Sequence, residues 1–148
     1  MKIYISYFAQ IRNFPPNLVG LSTAVWNPKW LQKGRSQNGI IWLDIPPLKP
    51  GKSCDGLCNG KCSPKRPDVC AFLREYKKQL DTIDFNIFIE HIQMLSETIK
   101  LGEQFNDVDF ALLVYEKYDN QCSERWPLIQ WFKEHGMELE EWQLDKNL

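Results

Sequence analysis

At 148 residues the chain is long enough for one domain with a core of its own. Its 43% apolar and 13% aromatic content is that of a folded globular protein and excludes a disordered chain. The net charge of −1 excludes a uniformly basic or acidic protein, but hides a split. Residues 1–66 carry ten cations against Asp44 and Asp55, a formal +8, and the remainder is −9. Such a split either marks a basic face that attracts phosphates or nucleic acid, or reflects two halves that complement each other in the fold. No apolar run nears the ~18 residues of a membrane span. The opening Lys2-Ile3-Tyr4-Ile5 lacks the apolar stretch of a signal peptide. With five cysteines, an odd number, a disulfide framework is not expected, and the chain reads as reduced and cytoplasmic.

Lys2 to Tyr7 is rich in β-formers and reads as a first strand, with Ser6, Tyr7 and Arg12 at its carboxyl end or in the loop beyond. Pro15-Pro16-Asn17 signals a turn, and Leu18 to Val25 gives a second strand ending near Ser22 and Thr23. Trp26-Asn27-Pro28-Lys29-Trp30 reads as an ordered loop with two large anchors. Gly39 to Ile45 is a short strand or extended segment, which Pro46, Pro47 and Pro50 prevent from continuing. Residues 51–66 lack apolar periodicity and form a loop holding three of the five cysteines.

Pro67 opens a helix in the place that suits proline, and Val69, Phe72, Leu73, Tyr76 and Leu80 carry it to about Asp81. Asp84 or Asn86 caps a second helix with Ile87, Phe88, Ile92, Leu95 and Ile99 on its apolar face and Gly102 as its stop signal. Phe110 to Tyr115 is the continuous apolar run of a strand buried on both faces. A third helix follows over Glu124 to His135, with Gly136 in the terminating position. Met137 to Leu144 alternates as a last strand. The closing strand–helix–strand unit implies a right-handed parallel crossover.

The stretch from Phe110 to Arg125 draws the chemistry. In an open α/β sheet, ligands bind where strands end and helices begin. Ser123 suits a helix N-cap, which places Cys122 at the positive end of a helix with Arg125 close by. That environment lowers a cysteine pKa. Amide groups at that end, Arg125 and Lys117 make an anion site, and Glu116 is placed to accept a proton. The plain alternative is a half-buried structural cysteine beside an Arg–Glu pair.

Cys54, Cys58, Cys62 and Cys70 fall within 17 residues at spacings from which thiolates can converge on one metal. Asp55-Gly56 and Asn59-Gly60 supply the turns. A structural zinc is favoured over an iron–sulfur cluster, and four unrelated thiols are the alternative. His91 and His135 have no spaced partners and read as ordinary helix residues. Phosphate-binding glycine loops, nucleophile elbows and zinc-protease motifs are absent.

Three segments together, KIYISYF with Arg12, Ser22 to Trp30 with its Pro-Lys-Trp, and ALLVYEK followed by a cysteine and an arginine, resemble the bacterial and phage group called domain of unknown function 488. The likeness spans essentially the whole chain. Many members carry Cys-His-Arg where this chain has Cys122-Ser123-Glu124-Arg125, so the histidine is missing and the arginine displaced by one. The resemblance implies a Rossmann-like fold and a site, but no reaction.

The expectation is an α/β, Rossmann-like three-layer domain over 1–148, with a mainly parallel sheet of four or five strands and a Cys-rich loop at 51–70. A phosphate-bearing nucleotide or nucleic-acid ligand is expected at the strand ends. Ser6, Tyr7, Arg12, Ser22, Lys117, Ser123 and Arg125 are its binding residues, and Cys122 and Glu116 its candidate nucleophile and base. The alternative is a non-catalytic binding protein, for example one that sequesters a nucleotide signal.

Overall fold

The computed structural model describes residues 1–36, 38–58, 66–120 and 122–144. Five parallel strands form the sheet in the order β3-β2-β4-β1-β5: β1 Ile3–Tyr7, β2 Leu18–Ser22, β3 Trp42–Asp44, β4 Asp109–Val114 and β5 Glu140–Glu141. β4 is central and pairs with β1 and β2 along its length, Ile5 opposite Leu112 and Gly20 opposite Ala111. This is the α/β architecture expected, now with every strand parallel.

Alternation along the strands divides the interior into two layers. Ile3, Ile5 and Tyr7 of β1, Val19 and Leu21 of β2, and Phe110, Leu112 and Val114 of β4 face the helices α1 (Ala71–Asp81), α2 (Phe85–Glu103) and α3 (Arg125–Glu134). There Phe85 meets Trp131 and Phe132 edge-on, with centroids 5.0 and 5.2 Å apart. Each such pair adds about 0.5–1.5 kcal/mol beyond its buried area.

The opposite face has no α-helix among its described residues. Leu18, Ala111, Leu113 and Trp42 of β3 are covered there by a 3-10 turn over Phe8–Asn13, with Phe14 at its end, and by the long β2–β3 connection, through Phe8, Ile11, Phe14, Leu31 and Ile40. Gly20 permits this close cover: a Cβ at that position would lie 2.8 Å from the Leu113 side chain.

Several boundaries differ from expectation. β2 ends at Ser22, and Thr23 just beyond it donates its N–H and its hydroxyl to the Leu113 carbonyl of the neighbouring β4. Pro67–Val69 is a separate 3-10 turn and α1 starts only at Ala71. Asp84 caps α2 by accepting from the Ile87 N–H at 3.1 Å. That helix runs past Gly102 and ends on Gln104 in the left-handed region (φ 58°). The last strand is only two residues long: its ladder bonds to β1 begin at Glu140, after the chain has turned at Gly136 (φ 79°).

No helix among the described residues is long and apolar enough to cross a membrane.

Candidate functional site

The chain leaves β4 at Tyr115, and the residues beyond it form a tight polar knot beneath α3. Arg125 organises it. Its Nε and Nη2 bond the Glu141 carboxylate at 2.6 and 3.2 Å, and Nη1 reaches the Glu116 and Lys117 carbonyls at 2.8 and 3.0 Å. The side chain is 7% exposed. Arg125 therefore ties the β4 end to β5, and the guanidinium expected to clamp an anion is committed to protein oxygens. The N-cap of α3 is Glu124, not Ser123 as expected; Ser123 sits one residue earlier, is buried, and accepts the Arg125 N–H at 2.9 Å. Cys122 is partly buried, and its N–H donates to the Asn120 side chain at 3.0 Å. Lys117 is exposed.

The most perturbed group here, Glu124, was not among the residues expected at the site. Glu124 sits just ahead of α3 with its carboxyl pushed up to about 7, first by burial and then by the charge of Glu116. Burial also raises Glu141, against the opposing bond and charge of Arg125. The end of β4 is thus carboxylate-rich, with its nearest cation spent. That favours a proton-holding site over an anion site. No periodicity marked Glu124; only the eight-residue interval between two carboxylates spanning a turn hinted at it.

A second polar network lies where β2 and β3 end. The Ser22 hydroxyl donates to Asn27 Oδ1, Asn27 Nδ2 donates to Asp44 at 2.9 Å, and Lys49 Nζ donates to the same carboxylate at 2.7 Å and to the Ala24 carbonyl. Burial opposes the Asp44 charge, but these bonds and the charges of Lys49 and Lys33 outweigh it and hold the carboxyl below its usual range. Ser22 is fully buried, so it anchors the loop rather than meeting a ligand. Ser6 is likewise spent on the Trp142 carbonyl at 2.7 Å, and Tyr7 accepts from Gln10 at 2.8 Å.

Arg12 stands apart from both networks. It is exposed, forms no ion pair among the described residues, and lines a groove of about 550 Å³ with Ala9, Trp30, Ser36 and Asn38. Asn38 fixes the groove wall by donating to the Arg12 carbonyl at 2.8 Å. The groove lies between the Phe8–Asn13 turn and the β2–β3 connection, on the face away from the helices. Residues 8–41 hold Arg12, Lys29, Lys33 and Arg35 and no carboxylate at all. Arg35 is paired with Glu103 of α2, whereas Arg12 and Lys29 have no ionic partner among the described residues. The charge split of the sequence thus surfaces as a basic layer on one side of the sheet. A larger concavity of about 680 Å³ between α1 and α3 is lined by Trp126, Asp68, Arg74, Lys77, Lys78 and Lys133; Lys77 is paired with Asp81 and Glu134 and Lys78 with Glu75, while Arg74 and Lys133 form no ion pair among the described residues.

Of the four expected metal ligands, Cys54 is buried in the core, and burial pushes its thiol up, an environment suited to a neutral thiol. Cys58 is exposed, Cys70 is partly buried, and Cys62 lies outside the described residues. Among the described residues no group of three or more His, Cys, Asp or Glu side chains is placed to hold a metal. His135 stacks on Phe85 at 4.5 Å and His91 is exposed.

Comparison with protein-family models, curated proteins and solved structures returned no match for this chain.

Proposed function

We propose that this protein binds a phosphate-bearing nucleotide or nucleic-acid ligand in the Arg12–Trp30 groove. The observation that carries the reading is an exposed guanidinium without an ionic partner among the described residues, beside a half-exposed indole, on a stretch (residues 8–41) whose own sequence holds no carboxylate. An indole face stacks on a base, a guanidinium pairs with phosphate, and Ser36 and Asn38 offer hydrogen bonds to a sugar or base edge. The reading retains Arg12 among the expected ligand residues and moves the anion site away from Arg125. It describes a binding protein. Cysteine-dependent chemistry at Cys122 with Glu116 is a second, narrower reading, favoured by the carboxyl of Glu124 that stays protonated up to near neutrality.

The same proposal includes kinship to the domain of unknown function 488 group and a cytoplasmic setting. Its support is that Arg12 and the Ser22–Trp30 segment, two of the three stretches that carry the resemblance, both border the basic layer. A structural zinc, or alternatively an iron–sulfur cluster, at the cysteine loop rests on cysteine spacing alone. Elemental analysis of protein purified without chelator tests it: one equivalent of metal supports it and none removes it.

The nucleotide reading is tested by titrating a fluorescent methylanthraniloyl-ATP. The expected result is saturable binding that Arg12→Ala and Trp30→Ala each weaken about fivefold or more. Equal affinity in wild type and both variants contradicts it.

A further inference from the structure

Resting on the groove as a phosphate-ligand site, we infer that the ligand is single-stranded nucleic acid, which continues from the groove along the β2–β3 connection to the exposed Trp26. The groove does not stand alone. Ala9 in its wall follows Phe8, whose ring lies 5.0 Å from that of Tyr115, the first residue after β4. The Tyr115 hydroxyl in turn donates to the Trp26 carbonyl, which pins the tip of the β2–β3 loop beside the β4 end. Along this line the large side chains face solvent: Trp26 is 83% exposed, and Trp30 and Tyr115 are each 50% exposed.

Large aromatic faces held in the open need a reason, and their surroundings narrow it. An apolar protein partner is a poor fit, because the row is interleaved with Arg12, Lys29 and Lys33 and no carboxylate occurs between residues 8 and 41. Aromatic faces beside cations, of which Arg12 and Lys29 form no ion pair among the described residues, are the chemistry of single-strand recognition, where bases stack and the backbone tracks positive charge.

The backbone around the row is braced for such a role. Ser22, Asn27, Asp44 and Lys49 lock the start of the loop. Leu31, buried directly after Trp30, anchors it from the other side. The aromatic tips are thus presented by an ordered backbone, and stacking on them costs little ordering.

The test compares three probes by fluorescence anisotropy or its competition: labelled twelve-nucleotide oligo(U), labelled oligo(dT) of the same length, and uridine monophosphate as competitor. Inorganic polyphosphate serves as the charge-only control. The expected result is oligonucleotide binding at least about tenfold tighter than the mononucleotide. Trp26→Ala should cost the oligonucleotide about fivefold or more. Affinity should fall with salt at a log–log slope that Arg12→Ala reduces by about 0.7. Oligo(U) against oligo(dT) separates RNA from DNA as the source of the strand.

If the mononucleotide binds and the oligonucleotide gains nothing, or polyphosphate competes as well as either oligonucleotide, the single-strand inference falls while the groove reading stands. If neither the mononucleotide nor any oligonucleotide binds, both fall together.

Discussion

Arg125 and Glu124 are neighbours in sequence with opposite energetic consequences. Arg125 offsets the cost of its burial because Nε, Nη1 and Nη2 each bond protein oxygens, whereas Glu124 is desolvated beside another carboxylate. Removing one partner of a buried pair leaves the other charge uncompensated. Arg125→Ala is therefore expected to destabilise the fold by about 3–5 kcal/mol, with Arg125→Lys recovering only part. Chemical denaturation measures this, and a variant as stable as wild type contradicts the structural role.

For Glu124 the sign runs the other way. Between its unfolded value of 4.5 and its folded value of about 7 the native state holds the proton that the unfolded chain has lost. Stability therefore falls as pH rises through that window and stays at its lower value above it. Glu124→Gln should flatten this slope and stabilise the protein at pH 8 by roughly 1–3 kcal/mol. Denaturation curves at pH 5 and pH 8 decide it, since an unchanged slope in the variant assigns the effect elsewhere. The sequence placed both residues at a helix start, but not their burial. The partner of Arg125, Glu141, lies 16 residues on, across a turn no spacing rule anticipates.

At the scale of elements, strand and helix identities were legible because their patterns are strong. Phe110 to Val114 is continuously apolar because β4 is covered on both faces, and the Asp84 cap is a local hydrogen bond. Ends were less legible where tertiary bonds override propensity. β2 stops at Ser22 with the Thr23 hydroxyl bonded to Leu113 of β4, and α2 continues through Gly102 to a left-handed Gln104.

The cover on the basic face was not legible at all. It is built from a 3-10 turn and a loop, which have no period to read, and it depends on Gly20. Gly20→Val should cost about 1–3 kcal/mol, since its branches would press on Leu113, Ile11 and Trp42, while alanine costs less because the end of the Leu113 side chain can shift. Thermal melts of the two variants test this ranking. A valine variant as stable as alanine removes the claim that the turn packs tightly on β2.

For the whole molecule, the charge split is the feature whose meaning changed most between sequence and structure. Read along the chain, +8 followed by −9 is ambiguous between self-complementation and a basic face. In the fold, one cation of the basic layer, Arg35, is used against α2, and Arg12 and Lys29 form no ion pair with described residues. Part of the split is therefore structural, and part stands on the surface around Trp26 and Trp30. The strand end of β4, where an anion pocket was expected, instead holds carboxylates and a spent arginine.

The most direct measurement is a two-dimensional amide spectrum that follows the six tryptophan indole N–H signals during titration with adenosine monophosphate. The expected result is a saturable shift of the Trp30 indole, little movement of the buried Trp42 and Trp131, and loss of the shift in Arg12→Ala. A Trp30 signal that stays in place at millimolar nucleotide, or that shifts equally in wild type and Arg12→Ala, contradicts it.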